Sequence, residues 1–315
     1  MFIVQPYDDE LLSSWLFRLA RQNHTNVSTM ICHIFKNDIF ANHSTKLHIK
    51  DIDLYPINKE QKLMLFNATG VEDIEKLQLF KFAGFLDEKI DRYRKIWIAE
   101  PKATKHNTKS FYGTRYCPKC LEEKVYIRQS WRMLLYNICE KHNCYLLCTC
   151  QSCNEKFMYY DNGYKRMFYQ CYNCGHDLRK AQIMPVLNHK HINYQKKLLN
   201  ILTCGYYKLN SRYYYSIGLF YFLRHFVLII MSNQDIKIKY LKQLEPCQLS
   251  RYISHSLFLL NNFPYRLNRY YKKNKLTNID HILTWGDRNR NSWNLPNWYL
   301  SGIQYRAVTP KGKSF

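Results

Sequence analysis

Nine of the twelve cysteines fall between Cys117 and Cys174, and seven of them, with His142, form four pairs whose spacing can hold metal. Cys117-x-x-Cys120 is followed, after 18 residues, by Cys139-x-x-His142. Seven residues further on, Cys150-x-x-Cys153 opens a second set, closed after 17 residues by Cys171-x-x-Cys174. Two residues between ligands make a tight knuckle, and a long spacer lets a second knuckle fold back to complete a tetrahedron. Each set supplies four ligands, so no position is left for the reacting water of a catalytic zinc. The pattern predicts two structural zinc ions, one on Cys117, Cys120, Cys139 and His142, the other on Cys150, Cys153, Cys171 and Cys174. Cys144, Cys148 and His176 are spare candidates that could replace a ligand, with Cys148 the nearest rival through Cys148-x-Cys150. Disulfides would need an oxidising compartment, but the opening MFIVQPYDDE is acidic and has no apolar signal core.

The chain around these knuckles is long enough, at 315 residues, for two or three modules, and its charge is uneven. Residues 1–100 carry 13 Lys and Arg against 14 Asp and Glu, whereas residues 101–315 carry 34 against 10. A field of that sign favours a polyanion, with nucleic acid the default partner. The most apolar stretch, SIGLFYFLRHFVLIIMS, is broken by Arg224 and His225 and reads as a buried helix, not a membrane span. No phosphate-binding loop or His-Glu-x-x-His motif occurs, and acids are scarce where DNA would bind, so the expectation is a protein that is not an enzyme.

The elements that must position the knuckles are mostly helical. Leu12, Trp15, Leu16, Leu19 and Ala20 recur as one apolar helical face, with Asp8 as the expected N-cap and Asp9 and Glu10 in the first turn. VSTMICHIF follows after a polar break, as in a helix-turn-helix or a plain helical hairpin. Residues 59–80 repeat the theme, Ala68-Thr69-Gly70-Val71 reading as a turn before a helix that carries Glu72, Asp73 and Glu75. PKATKHNTK reads as an exposed linker. Beyond Cys174, HINYQKKLLNIL and the 216–231 stretch read as helices, followed by two more around Asn261-Asn262-Phe263-Pro264. Arg266, Arg269, Lys272 and Lys273 lie on or near one face of the last, interleaved with Tyr265, Tyr270 and Tyr271, and are the candidate DNA contacts. The tail from Thr284 has three tryptophans and is expected to dock in part.

Arg115-Tyr116-Cys117-Pro118-x-Cys120-Leu121, Tyr126-x-Arg128, Trp131-Arg132, Cys139-x-x-His142 and Leu146 before Cys150-x-x-Cys153 resemble the zinc-finger core of the TniQ family. Pro6, Asp9-Glu10, Leu12, Ser14-Trp15-Leu16 and Arg18-Leu19-Ala20 resemble that family's N-terminal signature. The resemblance implies helix-turn-helix and zinc-finger modules that contact DNA or a targeting complex in cut-and-paste transposition. It further implies recruitment of an AAA+ ATPase that brings the transposase. In CRISPR-associated transposons such a protein sits on an RNA-guided effector, whereas the related TnsD proteins read an attachment site directly. By the same resemblance, direct readers carry a longer C-terminal region, which favours the adaptor.

The expected fold is therefore mainly α with small zinc-ribbon β elements. A helix-turn-helix-like domain over 1–100 precedes tandem zinc fingers over 101–180 and a basic, tyrosine-rich helical domain over 181–315. The expected partners are DNA, an RNA-guided CRISPR effector, an AAA+ ATPase and a second copy of this chain, with no membrane, in the bacterial cytoplasm at the nucleoid. A TnsD-like site reader is the alternative, and a zinc-ribbon transcriptional regulator the outsider.

Overall fold

The apolar stripe of the first helix seeds an N-terminal core. In α1 (Leu12–Gln22), the side chains of Leu12, Trp15, Leu16, Leu19 and Ala20 are fully buried. They pack with α2 (Val27–Phe35), which in turn meets α3 (Lys59–Thr69). A computed structural model of the chain describes residues 1–35, 52–54, 57–82, 84–86, 97–99, 104–106, 109–111, 114–159, 166–232, 234 and 241–274.

Two local expectations change. α1 starts at Leu12 with Leu11 as N-cap, not at Asp8, because Asp8 and Asp9 form a turn and Glu10 and Leu11 then pair with a distant segment. Leu11 donates its N–H to Ile127 O at 3.0 Å, and Gln129 N–H donates to Asp9 O at 2.8 Å. Glu10 is consequently not a first-turn surface acid but fully buried, accepting from Ser14 Oγ at 2.7 Å and Arg18 Nη1 at 2.5 Å. Burial pushes its carboxyl up, against the pull of Arg18. The second change follows α3, which is opened by a reciprocal Asn58–Gln61 capping box and closed by Gly70 at φ 69°. The chain then makes a four-residue 3₁₀ turn, Ile74–Leu77, in place of the expected helix. Ile74 and Leu77, three apart and so eclipsed, are both buried by that one turn, and a second 3₁₀ turn follows at Leu79–Phe82.

The cysteine-rich part contributes α4 (Pro118–Glu123) and a small antiparallel sheet of β3 (Ile138–Cys139), β4 (Cys144–Tyr145) and β5 (Met184–Pro185). A separate hairpin, β1 (Thr104–His106) with β2 (Lys109–Phe111), precedes it. The last part is helical: α5 (His189–Cys204), α6 (Ser216–Ser232), α7 (Pro246–Leu260) and α8 (Tyr265–Lys273). The hairpin β6 (Tyr206–Leu209)–β7 (Arg212–Tyr215) joins α5 to α6. α6 runs through the core, burying Leu219, Phe220, Phe222, Leu223, Phe226 and Val227, as the sequence predicts. His225 is buried with them, which drives its imidazole down to about 4. Among the described residues, no helix is long and apolar enough to cross a membrane. Most of the expected linker and the tryptophans Trp285, Trp293 and Trp298 lie outside the described residues.

One buried ion pair joins the two cores. Asp53 Oδ2 accepts from Arg132 Nη1 at 2.9 Å, both side chains being wholly removed from solvent. Ser13, on α1, donates to the same carboxylate through N–H at 2.8 Å and Oγ at 2.7 Å. Removing one member of a buried pair strands the other charge. Asp53→Ala should therefore destabilise the chain by about 3–5 kcal/mol in denaturant unfolding. Asp73→Ala, which breaks the exposed Asp73–Lys76 pair, should leave the midpoint unchanged.

Candidate metal centres

Each knuckle has a local cause. Pro118 opens α4 directly after Cys117, so Cys117 and Cys120 stand one turn apart. Cys139 ends β3 and His142 lies in the turn to β4, where Asn143 takes φ 47°. The second set repeats the device, with Asn154 after Cys153 at φ 55° and Gly175 after Cys174 at φ 76°. Asn and Gly tolerate this left-handed backbone, which turns the chain back beneath the ligands. A left-handed residue directly after the second ligand is thus a sequence-level mark of three of the knuckles, unused in reading the spacing.

The structure brings the eight predicted ligands together as two groups of four, with donor atoms in each group within 4.8 Å of one another. In the first, His142 Nδ1 lies 3.4 Å from Cys117 Sγ, 3.3 Å from Cys120 Sγ and 3.4 Å from Cys139 Sγ, and Cys120 and Cys139 are 3.5 Å apart. In the second, Cys150–Cys174 and Cys153–Cys171 are 3.8 and 3.6 Å apart. A tetrahedron with legs of about 2.3 Å to sulfur and 2.0–2.1 Å to nitrogen has edges of about 3.8 and 3.5 Å. The edges match, and they are far too long for S–S bonds. Both groups therefore fit a tetrahedral metal ion.

Within each group some thiols are held down and others pushed up. Hydrogen bonding from Cys120 holds the Cys117 thiol down to about 7, and bonds from Cys117 and Cys120 draw Cys139 well below the ordinary thiol range. The N–H of His176 holds Cys174 down to about 7, while burial pushes Cys171 up to about 12. Neighbouring thiols push Cys120 well up and burial raises Cys150, so without a cation neither group holds all its sulfurs as thiolates, and binding one would release protons.

The spare candidates separate cleanly. Cys148 faces away from both groups, donating to Glu245 Oε2 at 2.8 Å with Lys156 Nζ at 3.8 Å. His176 serves the second group through its main chain, its carbonyl accepting from Cys171 N–H at 2.9 Å. Cys144 is opposite Cys139 across β3 and β4, placing its sulfur 3.8 Å from Cys117 Sγ as a fourth thiol beside the first group. One partner escaped sequence reading. Glu123 Oε1 lies 3.1 Å from His142 Nε2, the carboxylate–histidine arrangement that orients a metal-bound imidazole. Its position three residues after Cys120 on α4 was the available signal.

Residues 1–146 match the family model TniQ. This stretch of the chain is a TniQ domain. TniQ domains mark a family associated with the selection of transposition targets. No curated protein matches the chain. The first metal group lies inside the TniQ domain and the second beyond it. The two signature stretches, more than a hundred residues apart, meet along Asp9–Ser14 and Tyr126–Gln129. Tyr126 Oη donates to Asp9 Oδ1 at 2.6 Å, Ile127 N–H to Ser14 Oγ at 2.9 Å, and Gln129 Nε2 to Glu10 O at 2.9 Å.

The four candidate DNA contacts divide. Arg269, Lys272 and Lys273 are exposed on α8, and among the described residues no carboxylate pairs with them. Arg266 is half-buried, its guanidinium 4.4 Å from the centroid of Phe258. Tyr271 is in the core and Tyr270 packs edge-on against Phe226, leaving Tyr265 the exposed tyrosine of this helix.

Elemental analysis of protein purified without chelator should find two ions per chain, falling to one in Cys120→Ser and staying at two in Cys148→Ala. Because Cys174 is exposed and Cys153 half-buried, a chelator should strip the second group first. Emptying the first should then release the amides of Leu11 and Gln129 together in hydrogen exchange, since both bonds tie the N-terminal segment to residues 127–129.

Proposed function

We propose that this chain is a DNA-binding adaptor for transposition target selection, with two structural zinc ions and no catalytic step of its own. It links an RNA-guided CRISPR effector to the AAA+ ATPase that recruits the transposase, in the bacterial cytoplasm at the nucleoid, with a second copy of the chain as a further partner. The observation that carries the reading is the TniQ match over residues 1–146, followed by a strongly basic remainder. Zinc is favoured over softer or harder ions by a closed set of thiolates and imidazole at tetrahedral spacing.

In this reading the N-terminal helices contact protein and the basic part holds phosphate. Arg269, Lys272 and Lys273, with Arg266 at the edge, are the phosphate contacts; guanidinium and ammonium groups there fix the chain on DNA without reading sequence. Target choice then belongs to the RNA-guided partner.

A titration of the isolated chain over a randomised duplex library at two salt concentrations tests this. The adaptor should bind weakly, with little sequence preference and a steep loss on adding salt, about −0.9 in log–log slope per neutralised phosphate. Arg269→Ala with Lys272→Ala should weaken all duplexes alike and make the slope shallower by up to about two units. A single motif preferred by about 10³-fold or more would instead make the chain a TnsD-like direct reader.

A further inference from the structure

A cleft of about 500 Å³ opens between the end of α5, the β6–β7 hairpin and the α7–α8 turn, away from both metal groups and from the exposed cations of α8. Its size is that of a small-ligand site. Leu219, Leu257 and Ile201 form an apolar floor. Tyr206 and Tyr213 stand at the rim with ring centroids 5.6 Å apart, and they are about half and two-thirds exposed, at 52% and 64%. Lys197 and Lys208 bring two cations, and Asn200, Asn261 and Asn262 bring side-chain amides. No carboxylate lines it. The walls are tied together, since Asn210 Nδ2, in the hairpin turn, donates to Phe263 O at 3.1 Å.

We propose that this cleft binds an unpaired nucleotide of a single-stranded nucleic acid. A base needs an aromatic face to stack on, and exposed tyrosines supply it without regard to sequence. Its edge carries donors and acceptors together, which an amide side chain matches with both. Its phosphate needs cations and no neighbouring carboxylate. A duplex cannot stack a base on the tyrosines, because its bases are already paired and stacked on one another. The assignment goes beyond phosphate holding by α8 and does not rest on it.

The test uses the full metal-loaded chain and labelled single-stranded oligonucleotides of roughly six nucleotides, as DNA in one arm and RNA in the other, beside a blunt duplex. Tyr213→Ala should weaken binding of the single strand by about 5- to 100-fold, while duplex affinity moves less than about twofold. Tyr213→Trp, which keeps a stacking face, should restore it. Lys197→Ala should make the single-strand salt slope shallower by about 0.7. Arg269→Ala with Lys272→Ala should show the opposite selectivity, weakening duplex more than single strand. The better-bound arm names the strand as DNA or RNA. Single-strand affinity that Tyr213→Ala leaves intact, or that falls equally for duplex, overturns the proposal, as does failure of either oligonucleotide to bind.

Discussion

The Asp53 carboxylate is the constraint on which the arrangement of the described parts depends. Its oxygens accept from Ser13 on α1 and from Arg132 after the first knuckle, and Tyr159, after the second, lies 3.3 Å away. Moving two charges out of water costs several kcal/mol per ion, so such a pair adds stability only when the remaining lone pairs are also satisfied. Here they are, and Arg132 spends a further donor, Nε, on Ala99 O at 3.0 Å. A pair with so many fixed partners tolerates one arrangement. Three segments far apart in sequence are registered on one another by a group that a hydrophobic contact of equal size would leave free to slide.

Metal ligation and hydrophobic packing are one structure in the TniQ domain. Cys117, Cys120 and Cys139 are buried in the same core cluster as Trp131, Leu121 and Ile127, and Ile127 is the residue whose carbonyl anchors Leu11. A metal that fixes the knuckles therefore also fixes the edge on which α1 begins. In the second group Cys150 and Cys171 are buried in that cluster too, but Cys174 is at the surface. That group organises a loop and a 3₁₀ turn, Leu178–Lys180, that packs against α4. The two ions would thus carry different shares of the fold although their spacing looks alike.

What could be read from the sequence was what is decided locally. Ligand spacing is set by the geometry of one turn, and α1, α5, α6, α7 and α8 follow from apolar periodicity or from a proline. What could not be read was decided at a distance. Glu10 looks like a first-turn acid until Arg128 bridges to it, and Asp53 looks like one acid among many until Arg132 arrives from 79 positions away. The segment after Gly70 failed for a different reason. Its charged residues suit the exposed side of a helix, but with two apolar anchors three apart a single 3₁₀ turn buries both.

These buried pairs change what the charge count means. The near-neutral total of residues 1–100 includes Glu10 and Asp53, neither of which reaches solvent. The acids that a partner would meet are others, among them Asp8, Glu60, Glu72, Asp73 and Glu75, and the last two already hold Lys76 and Lys62. Among the described residues, the exposed acids of the N-terminal part lie at Asp8 and Asp9, on α3 and in the turn after it, and none lies on α1. In the C-terminal part the cations of α8 face solvent without such compensation among the described residues. Local field, which decays over about 10 Å at 0.1 M salt, decides what approaches each face. By that measure a polyanion is drawn to α8 before the α3 side, where the acids and lysines of residues 59–82 balance.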